Sequence, residues 1–288
     1  MPYVKLKTAL AVAAALSGTF VALGCGHLPA AGANGLLHPT RRALDAALRE
    51  THPPITFAGA DVILTGWRFA ARGARRGTVI YLHGIADNRG SGLTVAQRFS
   101  DRGFDVVAYD SRAHGDSGGE ICTYGFYEKR DLQRVLDVLE SGPVVVIGSS
   151  LGGAVALQAA AEDPRISAVV AAESFSDLRT VGTERAPWFF TTKTVRQAFA
   201  LAENQGRFKV DEVSPMEAAR HISVPVFLIH GARDHETPPD HARRIFDSLR
   251  GRRRLLMVEG AGHNQSLQPW VWSEIEGWIE SVLRGSDS

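Results

Sequence analysis

The chain has 288 residues, a length that suits one large domain. Hydrophobic residues make up 44% and charged residues 22% of the sequence, proportions that are ordinary for a soluble globular protein. The formal net charge is only +1, so the composition gives no broad basic surface and argues against a nucleic-acid partner.

The first 24 residues have the pattern of a secretory signal peptide, because two lysines precede an uncharged run over residues 8–23. This run is short for a membrane span. Residues 21–25 read Val-Ala-Leu-Gly-Cys and resemble the lipobox of bacterial lipoproteins, which implies export and a lipid on Cys25 that anchors the protein at a membrane. The alternative is cleavage after residues 31–33, an Ala-Gly-Ala pattern, which would release a soluble periplasmic or secreted protein.

A small, flexible stretch follows, and we interpret residues 25–39 as a tether that leads into a folded domain over 40–288. Thr40 is a possible N-cap and predicts a short helix over 40–50. After Pro53 and Pro54, two partly alternating segments predict an antiparallel strand pair: 55–57 and 62–69.

From residue 78 onward, short apolar runs alternate with helical stretches. Runs that are apolar throughout are typical of strands buried on both faces, and the intervening helices make them βαβ units. The runs are 79–82, 106–109, 144–147, 168–171, 226–229 and 255–258. The sequence therefore predicts an α/β protein with a doubly wound, mostly parallel sheet.

The segment 178–223 is too long for a single crossover between strands. It contains Trp188, Phe189 and Phe190 and a helical pattern over 195–202. We interpret it as a small cap over the sheet edge, with two ordinary packing helices as the alternative.

The strand ends carry the candidate chemistry, because ligands of open α/β sheets bind beyond the carboxyl ends of the strands. Gly-Ser-Ser-Leu-Gly at 148–152 follows a β-branched run and fits the G-x-S-x-G nucleophile elbow, a strained turn between strand and helix. Gly148 and Gly152 stand two residues on either side of Ser150, and no such pair flanks Ser149. Ser150 is therefore the candidate nucleophile.

A serine nucleophile needs a base, and the base needs an orienting carboxylate. Asp234 and His263 follow the next two buried runs after the segment 178–223. The order Ser150, Asp234, His263 is that of α/β-hydrolases. Over residues 55–283 the sequence resembles the α/β-hydrolase superfamily. Three further motifs show the same resemblance: His83-Gly84, the D-x-R-x-x-G-x-S stretch from Asp110, and the loop ending at Asp234.

The resemblance implies an oxyanion hole made by the backbone N–H groups of Ile85 and Leu151. His83 beside that turn is expected to brace it rather than to act as the base. Asp177 is the rival for the role of the acid. We expect no metal and no cofactor, because metal-ligand spacing and the phosphate-loop motif are both missing from the sequence.

These features predict a serine hydrolase that cleaves carboxylic esters of a small-molecule acyl substrate. Trp188, Phe189 and Phe190 are candidates for an apolar wall around the acyl group, and core packing of the same residues is the alternative. A serine peptidase or a thioesterase on the same triad is the nearest other enzyme. A non-catalytic lipid-binding lipoprotein is the alternative outside enzymes. The sequence does not indicate the oligomeric state.

Overall fold

The computed structural model describes residues 27–285, and the predicted signal peptide and Cys25 lie outside them. Eight strands form one sheet in the order β1-β2-β4-β3-β5-β6-β7-β8. Strand β2 is antiparallel to β1 and β4, and the remaining neighbours are parallel. The strands are β1 Ile55–Ala58, β2 Ile63–Phe69, β3 Gly77–Leu82, β4 Phe104–Tyr109, β5 Val144–Ser149, β6 Ile166–Ala172, β7 Val226–Gly231 and β8 Arg253–Val258.

Ten α-helices cover or flank the sheet in the described part of the chain. They are α1 Leu28–Leu37, α2 Ala46–Thr51, α3 Leu93–Ser100, α4 Glu128–Leu136, α5 Leu151–Ala160, α6 Leu178–Glu184, α7 Thr192–Gly206, α8 Pro215–Ala219, α9 Asp240–Ser248 and α10 Pro269–Arg284. Across the same residues no helix is both long enough and apolar enough to cross a membrane.

The core strands are buried on both faces, as the continuous apolar runs predicted. Every residue of β3, β4, β5 and β7 is buried. Successive residues of β3 belong to different cores, with Ile80 in one and Tyr81 in the other, because strand side chains alternate between the two faces. The predictions of an α/β fold and of the antiparallel β1–β2 pair are both confirmed.

The predicted tether is wrong, because residues 28–37 form helix α1, in which Ala33 and Leu37 are fully buried. A Cβ atom on Gly32 would lie 2.9 Å from the side chains of both Phe190 and Ala198. The small residues of this stretch therefore allow close packing against α7 and its preceding loop.

The predicted helix over 40–50 is shorter in the structure. Helix α2 starts at Ala46, and the Asp45 carboxylate caps it by accepting a hydrogen bond from the Ala47 N–H. The residues before it lie outside any helix or strand. There the Asn88 side-chain amide donates to the Arg42 carbonyl, and the Arg41 guanidinium donates to carbonyl groups of residues 114–119. Thr40 therefore does not cap a helix.

The segment 178–223 contains α6, α7 and α8. Helices α1, α6 and α7 share a third apolar cluster that includes Phe199 of α7 and reaches Ala154 of α5. This cluster joins the segment to the helix that begins directly after Ser150.

Candidate active site

Ser150 lies at a sharp turn between β5 and α5. Its backbone has φ +51° and ψ −111°, a strained conformation for a residue with a side chain. A Cβ atom on Gly148 would lie 2.2 Å from the Gly152 carbonyl carbon, and one on Gly152 would lie 2.1 Å from the Leu82 carbonyl oxygen. Neither position accepts a side chain, which is why the turn requires both glycines.

His263 connects the two other candidate residues. Its Nε2 atom lies 3.0 Å from Ser150 Oγ, and its Nδ1 atom lies 2.7 Å from Asp234 Oδ2. All three side chains are largely buried. The loops after β5, β7 and β8 thus bring together residues up to 113 positions apart along the chain.

Asp234 is held by its own loop. Its Oδ1 atom accepts hydrogen bonds from the backbone N–H groups of Glu236 at 2.9 Å and Thr237 at 2.8 Å, which leaves Oδ2 for His263. His230 Nε2 also lies 3.4 Å from Oδ2. Burial alone raises the pKa of Asp234, but these hydrogen-bond donors outweigh it and lower the pKa well below its usual range. The carboxylate is therefore ionised beside His263.

The rival acid, Asp177, has a different position. Its Oδ1 atom accepts the Thr180 N–H at 2.7 Å and caps α6, while Ser176 Oγ donates to its Oδ2 atom. Ser176 in turn contacts His241, which lies 2.7 Å from Glu184 of α6. Asp177 thus belongs to a partly buried cluster around His241 and makes no hydrogen bond to His263 in the described part of the chain.

His83 braces the turn at Gly84. Its Nε2 atom accepts the Ser111 N–H at 2.9 Å, so the proton is on Nδ1, which donates to the Gly84 carbonyl at 2.7 Å. The ring is fully buried, and burial lowers the pKa of His83. Gly84 lies against the nucleophile turn, since a Cβ atom on it would be 3.5 Å from Ser150 Cβ.

Leu151 is the first residue of α5, and N–H groups in the first turn of a helix have no partner within the helix. Ile85 follows Gly84 and lines a cavity of about 430 Å³ that also contacts Gly84, Ser149 and Glu173. An oxyanion hole at Ile85 and Leu151 stays a prediction. Among residues 27–285, no group of three or more His, Cys, Asp or Glu side chains is arranged so that it could hold a metal ion.

A second cavity, of about 370 Å³, lies between α1, α6 and α7 and is mostly apolar. Phe189 and Phe190 line it, but Trp188 does not. The predicted contribution of Trp188 to an apolar wall does not apply to this cavity, because its side chain is 94% exposed. The Phe190 N–H donates to the Pro187 carbonyl, and this turn puts Trp188 at its tip and Phe190 beneath it, against Gly32.

Arg185 lines the apolar cavity and connects it to the loop after β7 that contains Asp234. The Arg185 guanidinium donates to the Glu236 carbonyl at 2.8 Å and to Thr237 Oγ1 at 2.5 Å. These are the residues whose N–H groups bind Asp234. The cavity therefore lies within one side chain of the loop that holds the candidate acid.

Sequence reasoning missed Glu173, which follows β6. Its backbone has φ +55° and its side chain is 1% exposed. The carboxylate accepts hydrogen bonds from three consecutive N–H groups that follow His263: Asn264 at 2.6 Å, Gln265 at 3.1 Å and Ser266 at 2.9 Å. A carboxylate directly after a buried strand was the one visible signal, and nothing local in the sequence named its partners.

Two family models match the chain: one of the alpha/beta hydrolase fold over residues 77–210, and one of TAP-like proteins over 201–274. An uncharacterized Bacillus subtilis protein, YqkD, is 31% identical over 199 residues, covering 66% of this chain and 65% of that protein. The 2,6-dihydropseudooxynicotine hydrolase of Paenarthrobacter nicotinovorans is 28% identical over 219 residues, covering 71% and 57%. The chain thus spans less than two thirds of the length of either relative.

Among solved structures, the esterase Pf2001 of Pyrococcus furiosus is similar, with a TM-score of 0.68 over 86% of this chain and 98% of that one. The two sequences are 24% identical, so the likeness concerns the fold.

Proposed function

We propose that this protein, which has the α/β-hydrolase fold, is a serine hydrolase that cleaves carboxylic esters. One observation carries the proposal: the continuous contact from Ser150 Oγ through His263 to the Asp234 carboxylate, at 3.0 Å and 2.7 Å. A serine, a histidine and an ionised carboxylate in this arrangement form an activated nucleophile.

In the first half-reaction, Ser150 Oγ attacks the acyl carbonyl while His263 Nε2 takes the hydroxyl proton. Asp234 keeps the other proton on Nδ1 and stabilises the imidazolium that forms. The negative oxygen of the tetrahedral intermediate accepts hydrogen bonds from the proposed donors at Ile85 and Leu151, each worth about 3 kcal/mol. The intermediate collapses, the alcohol leaves with the proton from His263, and an acyl-enzyme remains.

In the second half-reaction, His263 removes a proton from water, which attacks the acyl carbon. The intermediate collapses to release the carboxylic acid, and His263 returns the proton to Ser150. The mostly apolar cavity behind Arg185 supports an apolar acyl group as the part of the substrate that the protein binds.

The test is a fluorophosphonate probe together with p-nitrophenyl esters of increasing chain length. We expect covalent label on Ser150 and ester turnover, with both abolished in Ser150→Ala and both retained in Ser149→Ala, the adjacent control. Folded protein that takes no label would favour the non-catalytic lipid-binding alternative. An anilide and a thioester of the same acyl group belong in the panel, because faster turnover of either would replace the ester assignment with peptidase or thioesterase activity.

A further inference from the structure

The turn between α6 and α7 presents an exposed tryptophan. Trp188 is 94% exposed, the largest fraction of any large apolar side chain in the described residues. Its ring contacts Phe189 edge-on at 5.7 Å between centroids, so the indole projects from an aromatic base. A solvent-exposed aromatic side chain of this size gains no free energy from burial. We infer that another surface binds over it when the protein functions.

The sequence between Glu184 and Glu203, which includes this tryptophan, is basic. Residues 185–202 include Arg185, Lys193 and Arg196 and contain no aspartate or glutamate. Lys193 and Arg196 lie exposed in the first two turns of α7, directly after the aromatic turn. We call Trp188, Lys193 and Arg196 the aromatic-basic face. Its chemistry complements an anionic surface that has an apolar interior.

Helix α1, which follows the apolar N-terminal sequence along the chain, lies next to the aromatic turn. Helix α1 packs under the aromatic turn through Gly32 and Phe190. Only four residues separate Leu23, at the end of the run over residues 8–23, from Leu28, which begins α1. A membrane held by that run or by Cys25 would therefore meet the protein on the α1 side.

We propose that the aromatic-basic face docks on an anionic phospholipid bilayer, with the Trp188 indole in the interface and Lys193 and Arg196 against the headgroups. Tryptophan is the side chain that favours this depth, since its ring is apolar and its N–H is polar. Each basic residue near an anionic membrane contributes enough attraction to change binding about fivefold. This docking does not depend on the proposed hydrolysis.

The experiment uses the full chain on vesicles of phosphatidylcholine with 30% phosphatidylglycerol, some of them containing brominated acyl chains as quenchers. The chain has five tryptophans, so Trp188→Phe isolates one contribution. We expect brominated lipid to quench wild-type fluorescence by an amount that is lost in Trp188→Phe and kept in Trp270→Phe, a control that is 49% exposed on α10. This readout holds even when the N-terminal segment alone anchors the protein.

A double variant, Lys193→Gln with Arg196→Gln, should weaken binding to anionic vesicles about 25-fold. If the N-terminal segment anchors the protein to the vesicle, the same variant should instead show less quenching of Trp188 by brominated lipid. Equal quenching of wild type and Trp188→Phe would overturn the proposal. So would full access of aqueous iodide to Trp188 in vesicle-bound protein.

A second inference rests on different residues and on the proposed function. We infer that Glu173 is a positioning residue that fixes His263 through the three N–H groups that follow it. Elsewhere in the loop after β8, the Ala261 carbonyl accepts the Arg233 N–H at 2.8 Å and Gln265 Oε1 accepts the Gly262 N–H at 3.1 Å. A fixed carboxylate that binds three adjacent N–H groups sets the backbone from which His263 reaches Ser150.

Its test compares Glu173→Ala and Glu173→Gln with Glu259→Gln, a control at an exposed carboxylate earlier in the same loop. Misplacement of a catalytic group by about 1 Å costs on the order of 100-fold, so Glu173→Ala should lose about that much kcat with little change in KM. Glu173→Gln keeps one oxygen acceptor and should fall in between, while Glu259→Gln should match wild type. Fluorophosphonate labelling of Ser150 should slow in the same order.

A folded Glu173→Ala protein with kcat within threefold of wild type would refute the positioning role while Ser150→Ala remains inactive. An active Ser150→Ala protein would instead refute the proposed function itself.

Discussion

Asp234→Asn keeps the shape of the side chain but changes the hydrogen bonds that it makes. In the structure, Oδ1 accepts two backbone N–H groups, from Glu236 and Thr237, and Oδ2 accepts the Nδ1 proton of His263. The asparagine must place its single oxygen toward the two backbone donors, because its NH₂ group there would leave both without an acceptor at about 1–3 kcal/mol each. Its NH₂ group therefore faces His263.

An NH₂ group at that position donates to His263 Nδ1, so the imidazole proton moves to Nε2. That nitrogen faces Ser150 Oγ at 3.0 Å and, once protonated, has no lone pair with which to take the hydroxyl proton. A histidine in the wrong tautomer costs a serine protease about 10⁴-fold in kcat. The same loss here raises the activation barrier by about 5.5 kcal/mol.

The assay is steady-state hydrolysis of a p-nitrophenyl ester, with circular dichroism to show that the variant is folded. Asp177→Asn is the matched control, because Asp177 caps α6 and asparagine is nearly as good an N-cap. We expect the control to keep its activity within a few-fold. An Asp234→Asn protein within tenfold of wild type would refute the tautomer argument, and a larger loss in Asp177→Asn would transfer the acid role to that residue.

Two further predictions concern stability. Gly152→Ala should lower the free energy of unfolding by at least about 3 kcal/mol in a urea titration, because its Cβ would overlap the Leu82 carbonyl. The control Gly277→Ala on α10, with open space around it, should raise that free energy by about 0.5–1 kcal/mol. Equal effects of the two substitutions would refute the steric argument. Burial and the neighbouring His83 lower the pKa of His114 from 6.5 to about 4, so the unfolded chain binds its proton first as the pH falls. The free energy of unfolding of the wild type should therefore fall by about 3 kcal/mol between pH 6.5 and 4 because of this residue. In urea titrations across that range, the free energy of unfolding of His114→Gln should depend correspondingly less on pH.

The sequence predicted the sheet and the candidate triad because both depend on short local patterns. A run such as Val144–Ile147 has to be buried on both sides wherever it lies, and the order of strands then puts their carboxyl ends at one edge. The two glycines around Ser150 identify the turn in the same way, since their need for space arises within five residues of sequence. These features needed no knowledge of distant partners.

Most of the features that sequence reasoning missed depend on partners far along the chain. Gly32 is small whether it belongs to a flexible tether or to a close-packed helix, and its neighbours Phe190 and Ala198 lie more than 150 positions away. Glu173 meets N–H groups more than 90 positions away. For Trp188 the composition favours burial, and only the hydrogen-bonded turn at Pro187 puts the ring outside.

Helix α1 also bears on how the N-terminus is processed, a prediction that concerns residues outside the described part. Cleavage before Cys25 would keep α1 whole, whereas cleavage after Ala33 would remove the first part of the helix, residues 28–33, including Leu28 and Gly32, which line the apolar cavity. Phe190 would then lose the backbone against which it packs. We therefore predict cleavage before Cys25 rather than after Ala33, because only the first leaves the lining of this cavity intact. Mass spectrometry of exported protein that found Asn34 as the first residue would contradict this argument.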